Sequence, residues 1–197
     1  LSRGLGDVYK RQSDDITKVN LSYAINNDTM MYVTFAEGYR PGGANRTTQL
    51  GATYDADFLE SKEIGFKSML MDGRLRLNGA LYIMDWDDIQ LGWFDSSISL
   101  LGLVDNIGKA ESDGTEIDLK YLVNDAVSIA VGFSENSTAL KEDYTLRGAV
   151  EARDGQDLPF TPDKKYNVTI NVDVTDKSSF QFNHVFLDEM WNDLFYD

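Results

Sequence analysis

The first chemistry the sequence offers is a pair of carboxylates. Glu116 and Asp118 stand two residues apart, which puts both on one face of an extended chain. A hydrolase can use two such groups as acid and base, and a polar channel wall can use them equally well as a hydrated network. A second acidic run, Asp85, Asp87 and Asp88, offers hard oxygen ligands of the kind Ca²⁺ takes. It lacks the Gly-punctuated spacing of a calcium loop, so it reads as a solvated rim. His184 is the sole histidine and the chain has no Cys, which removes thiolate nucleophiles, disulfides and thiolate metal sites and leaves little for Ser-His or multi-His chemistry. The expectation is a protein with no catalytic residue, no metal site and no cofactor. The 33 acidic residues outnumber the 18 basic ones, a net charge of -15 that excludes a nucleic-acid partner, because phosphate contacts need a basic face. With 12% aromatic residues the chain is too apolar for disorder, yet no apolar run approaches the ~18 residues of a spanning helix.

The elements that must position these residues are strands. From Thr17 onward apolar residues recur with period two. Tyr166, Val168, Ile170, Val172 and Val174 alternate with Asn167, Thr169, Asn171 and Asp173. Val127, Ile129, Val131 and Phe133 alternate with small residues, and Thr115, Ile117, Leu119 and Tyr121 with Glu116, Asp118 and Lys120. Leu75, Leu77, Leu81 and Ile83 oppose Arg74, Arg76, Asn78 and Tyr82, while Ile64, Phe66 and Leu70 oppose Glu63 and Lys67. Val19 to Ile25, Met31 to Phe35 and Phe180 to Phe186 complete a set of about eight strands, with no convincing helix. His184 falls on the apolar face of the last one, a structural position.

Connections of two kinds join these strands. Short turns stand at Asn26-Asn27-Asp28, Met71-Asp72-Gly73, Asn124-Asp125 and Thr175-Asp176-Lys177, built from residues that accept tight-turn backbone angles. Long loops cover residues 40–59, 87–110 and 137–162. Short turns on one side and long loops on the other, joining antiparallel up-and-down strands of ~9–13 residues, is the layout of an outer-membrane β-barrel. Tyr39, Phe58, Trp86, Trp93, Phe133, Phe160 and Phe186 fall near the loop ends, where an aromatic girdle is expected. The polar face carries charges of both signs, including Glu63, Lys67, Arg74, Arg76, Glu116, Asp118, Lys120 and Asp173, as a wet lumen allows. The competing architecture is a soluble β-sandwich that binds a carbohydrate or another ligand, with the same alternation packing two sheets together.

Several blocks resemble the strand-and-loop signatures of TonB-dependent outer-membrane receptors. They are Tyr32-Val-Thr-Phe-Ala-Glu-Gly-Tyr-Arg-Pro-Gly-Gly-Ala-Asn45, Glu63-Ile-Gly-Phe-Lys-Ser68, Asp72-Gly-Arg-Leu-Arg-Leu-Asn-Gly-Ala-Leu-Tyr82, Trp86-Asp-Asp-Ile-Gln90, Asn106-Ile-Gly-Lys-Ala-Glu-Ser-Asp-Gly-Thr-Glu-Ile-Asp-Leu119 and Leu158-Pro-Phe-Thr-Pro162. They follow the family's order over most of residues 17–174. Within them, Gly114 in a strand pattern marks a bulge or a close backbone approach. The resemblance implies a segment of a roughly 22-stranded barrel with a plug domain elsewhere in the receptor. It also implies outer-membrane lipid around the wall, and uptake of a scarce nutrient, most often a ferric siderophore, driven through TonB in a Gram-negative cell. In such receptors extracellular loops contact the ligand. Arg40 and Arg46 in the first long loop suit an anionic chelate, and Trp93 and Phe94 in the second suit a flat catechol or sugar face. Residues 1–12 resemble a translated sequencing-adaptor stretch and do not read as a signal peptide. The expected organisation is a non-native segment over 1–12 and a partial receptor barrel over 13–197.

Overall fold

The computed structural model describes residues 13–45, 51–94 and 102–195, with the Trp93 side chain left aside. Its body is one antiparallel sheet of eight long strands, each paired with the next long strand in the chain. The long strands are β1 (Lys18–Ala24), β2 (Thr29–Arg40), β5 (Asp57–Leu70), β6 (Leu75–Asp87), β9 (Ala110–Asn124), β10 (Val127–Leu140), β13 (Lys164–Thr175) and β14 (Ser178–Leu187). Three two-stranded hairpins decorate one end: β3 (Gly43–Ala44) with β4 (Thr53–Tyr54), β7 (Gln90–Trp93) with β8 (Leu103–Asn106), and β11 (Tyr144–Leu146) with β12 (Ala149–Ala152). The eight expected strands are the eight found. The long connections hold the three hairpins, which sequence periodicity did not show because a strand of two to four residues is too short to display a period.

Register turns the alternation into two opposed surfaces. One row of directly paired residues crosses the whole sheet: Tyr23, Met31, Phe66, Gly79, Ile117, Phe133, Tyr166 and Phe186. One residue further along each strand, the opposite face carries Lys67, Asn78, Asp118, Gly132 and Asn167 in a second continuous row. A slip of one residue would exchange these faces. The apolar face is uncovered: Leu21 is 71% exposed, Leu81 55% and Val33 50%. A sandwich would cover this face with a second sheet, but the sheet is single and open, so the sandwich expectation is corrected. In a bilayer the same face is solvated by lipid.

Glycines in the strands face rings. Gly79 pairs with Phe66, Gly65 with Tyr32 and Gly114 with Tyr82. A Cβ on Gly79 would lie 2.6 Å from the Phe66 ring, and one on Gly65 2.6 Å from the Tyr32 ring. At Gly114 the ladder is continuous on both sides, so the close-approach expectation holds and the bulge does not. A Cβ there would meet Tyr82 Oη at 2.5 Å and the Glu135 carbonyl oxygen at 2.7 Å. The backbone oxygen cannot retreat without disturbing the ladder. Gly114→Ala is therefore expected to destabilise the wall by about 1–3 kcal/mol, read as a lower unfolding temperature in detergent. An unchanged temperature would show that Tyr82 is free to leave.

The short turns are closed by side chains. Asn26 Oδ1 accepts from the Asp28 N–H at 2.8 Å, Asn124 Oδ1 from the Ala126 N–H at 2.9 Å, and Thr175 Oγ1 from the Lys177 N–H at 3.2 Å. In the turn before β6, Met71, Asp72 and Gly73 all have positive φ, at 55°, 54° and 84°. Gly73 meets that demand without a Cβ clash. Arg74 corrects an expectation. It lies in this turn, not on the polar wall, and its guanidinium donates to the carbonyl oxygens of Leu122 (3.0 Å) and Val123, fastening the turn to the end of β9.

The girdle is smaller than expected. Tyr39 and Phe58 pair on the apolar face with ring centroids 5.5 Å apart, and Phe186 stacks on Tyr166 at 4.8 Å. Phe133 stands in mid-strand, because β10 runs on to Leu140, and Phe160 lies in a loop with φ of 61°. Trp86 belongs to the polar face, since it stands an even number of residues along β6 from Asn78, which lies in the polar row. There it meets the loops.

Candidate ligand-facing mouth

Three strand ends converge on one buried carboxylate. Arg40, the last residue of β2, is paired with Asp57, the first of β5, and both side chains stand on the polar face beside Trp86 of β6. Asp57 is 1% exposed. Arg40 Nε donates to Asp57 Oδ1 at 3.0 Å and to Oδ2 at 2.9 Å, and Arg40 Nη2 also donates to Oδ2. Trp86 Nε1 donates to Oδ2 at 3.2 Å and the Gln90 backbone N–H at 3.1 Å. Arg40 in turn lies 5.0 Å from the centre of the Trp86 ring, a cation–π contact. An ionised carboxylate tolerates such burial only when charge and hydrogen bonds compensate it, as they do here.

Amide side chains carry this arrangement outward. Gln90 Nε2 donates to the carbonyl oxygens of Pro41 (3.1 Å) and Asp55 (3.0 Å). Asn106 accepts from the Asp55 N–H at 2.7 Å and donates to the carbonyl oxygens of Asp55 (3.1 Å) and Asp88 (2.7 Å). Asn45 donates to the Val104 carbonyl at 2.8 Å and accepts from the Val104 N–H at 3.0 Å. The first and second loops are thereby joined.

Beside this polar network sits the main apolar core. Ile89, Ile107, Ala110, Leu140, Tyr144, Ala152, Leu158 and Leu194 are buried together, with Trp86, Leu91, Leu146 and Phe195 against them. The directly paired residues Trp86, Ala110 and Leu140 form its floor on the polar face of the wall. The β7–β8 and β11–β12 hairpins thus pack over the polar side of the wall's end, not away from it. Tyr144 donates to Asp105 Oδ2 at 2.7 Å, and burial first, then that bond, hold its phenol well above the usual tyrosine range. On the rim, Lys109 meets Asp87 at 2.8 Å and Lys141 meets Glu111 at 2.8 Å. A hydrogen bond to the carboxylate raises each ammonium above the ordinary lysine value. These pairs are exposed and add little stability.

The residues singled out for ligand contact fall as follows. Arg40 is at the mouth, half exposed, with its guanidinium held by Asp57. Trp93 ends β7, and Phe94 follows it with 61% exposure. Arg46 lies outside the described residues. The acidic run divides among partners: Asp85 lies 3.6 Å from Lys62, Asp87 pairs with Lys109, and Asp88 offers its backbone carbonyl to Asn106. Glu116 and Asp118 stand exposed on the open polar wall, opposite Ala80 and Asn78. His184 lies on the apolar face, 5.8 Å from the Tyr166 ring. Sequence reasoning missed Asp57, Gln90 and Asn106. Arg40 and the blocks ending at Asn45, running from Trp86 to Gln90 and starting at Asn106 pointed to this place, but they gave no register.

This architecture, a single up-and-down wall with an apolar and a polar face and loops folded over one end, has a counterpart among known families. A family model described as "TonB dependent receptor-like, beta-barrel" matches residues 4–196. The chain belongs to the TonB-dependent receptor β-barrel family. Membership places it in the outer membrane of a Gram-negative cell, with short turns toward the periplasm and long loops outside. Among individual proteins, it is 26% identical over 168 residues to the pesticin receptor of Yersinia enterocolitica, covering 82% of this chain and 23% of that protein. Among solved structures it resembles the ferric yersiniabactin uptake receptor FyuA from Yersinia pestis, with TM-score 0.66, 21% identity and coverage of 85% of this chain and 24% of that one. The ferric-catecholate import receptor Fiu from E. coli K12 gives TM-score 0.64 at 20% identity, covering 88% and 24%. The chain therefore spans about a quarter of the length of the receptors it matches, and the open sheet is what such a portion of a closed barrel looks like. These relatives are transport receptors, not enzymes.

Proposed function

We propose that this chain is a wall-and-loop segment of an outer-membrane receptor that captures a ferric siderophore at its extracellular mouth and passes it to the periplasm. Energy for the passage reaches the receptor through TonB, a plug domain fills the closed barrel, and lipid covers the apolar face. The segment has no enzymatic step of its own. The observation that supports this reading most directly is the position of the mouth: a polar, loop-covered end of a membrane wall in a family whose relatives are named for ferric complexes and for pesticin. Arg40 and Arg46 are the groups proposed to meet an anionic chelate, with Trp93 and Phe94 against its flat face.

The reading is tested by growth. A host that lacks its own siderophore receptors and carries the complete receptor should regain growth on an iron-starved medium supplied with ferric yersiniabactin, ferric enterobactin or ferric pyoverdine. The gain should vanish when tonB is deleted. Failure on all of these complexes, with the receptor present in the outer membrane, would overturn the siderophore assignment.

A further inference from the structure

The geometry points to Asp57 as the positioning residue of the mouth, a buried carboxylate that fixes the pose in which Arg40 meets a ligand. This inference rests on the proposed ligand-binding role of Arg40. Asp57 accepts from three separate segments: the end of β2 through Arg40, the end of β6 through Trp86, and the start of β7 through the Gln90 N–H. Two of those donors lie on Arg40, and a paired guanidinium–carboxylate contact sets direction as well as distance. The Trp86 ring supports the guanidinium from one side at 5.0 Å, and the Gln90 carbonyl accepts from Nη2 at 3.2 Å. An arginine side chain free to rotate would lose rotamer entropy on binding a ligand. One already held, with half its surface exposed, loses much less. Asp57 itself cannot touch a ligand at 1% exposure, so it acts through Arg40. Through Gln90, the same carboxylate also holds the first loop at Pro41 and Asp55.

Hydrogen exchange and ligand binding, measured on the complete receptor in detergent micelles, test this together. Asp57→Asn keeps the shape and removes the charge, and Arg40→Met removes the donors and keeps the carboxylate. Both are expected to speed exchange of the Gln90 amide about tenfold or more, as for a buried charged partner left unpaired, while amides in the middle of β5 and β6 keep their protection. Unchanged Gln90 exchange in both variants would overturn the proposal, and so would loss of protection across the wall in both, which would make Asp57 a folding residue instead. Binding is then read with ferric enterobactin, an anionic catecholate chelate. Affinity reduced about tenfold in both variants, alongside the local loosening, supports positioning. Loosening with unchanged affinity for a complex that the unaltered receptor binds overturns the role of Asp57 in ligand capture. An unaltered receptor that binds no ferric complex overturns the reading of the mouth instead, and the exchange result still stands.

Discussion

Leu140→Asp is expected to open the extracellular loops while leaving the barrel wall assembled. Leu140 ends β10, is fully buried, and sits on the floor of the loop core between Ala110 and the hairpin of β11 and β12. Shortening such a side chain to Ala costs about 2–5 kcal/mol. Asp adds an unpaired charge to an apolar site, and that costs several kcal/mol more unless it is protonated or the core opens to water. The loop core has no comparable reserve: it is one cluster held by the β7–β8 and β11–β12 hairpins and the segment around Leu194, whose carbonyl accepts from Gln156 Nε2. The wall below is held separately, by continuous ladders from β1 to β14. Trypsin added to intact cells should therefore cut the variant rapidly at Lys141, Arg147 or Arg153, where the unaltered receptor resists. The outer-membrane yield should not change. Equal resistance in both proteins would show that the core is not what orders the loops.

The second large effect separates the two faces of β9. Ile117 is 41% exposed on the apolar face in mid-strand, within the row that crosses all eight strands. Its neighbour Glu116 is exposed on the polar face. An arginine on the lipid side near the bilayer midplane costs about 2–4 kcal/mol, whereas one on a wet lumen wall costs little. Ile117→Arg is expected to lower the amount of heat-modifiable receptor in the outer membrane severalfold, and Glu116→Arg to leave it near that of the unaltered protein. A reversed order would mean that the lipid and lumen faces have been exchanged. Equal, small effects would mean that the sheet does not span a membrane.

Much of this wall was legible from residue order because the barrel imposes a local rule. Each strand separates lipid from water, so apolar and polar residues must alternate wherever the chain crosses, and the period appears in any window of a few residues. The turns were legible for a similar reason: Asn26, Asp72-Gly73, Asn124 and Thr175 act on backbone within two or three residues of themselves. Trp86 and Arg74 were misplaced because each was assigned by proximity, Trp86 to a loop end and Arg74 to a strand pattern. Their contacts reach Asp57, 29 residues away, and Leu122, 48 away.

Residue order by itself determined that this is a β wall with one lipid face, short turns on one side and long loops on the other, since alternation and turn chemistry are local consequences of solvent on each face. The tertiary structure alone decided what the loops do. The Arg40–Asp57 pair, the Gln90 and Asn106 bridges, and the clasp of Asn45 on Val104, 59 residues distant, exist only once register has set β2, β5, β6 and β9 side by side. Register is a property of the whole sheet: matching the lipid face of every strand to its neighbours brings the strand ends to a common level. Only there does a buried carboxylate find its donors.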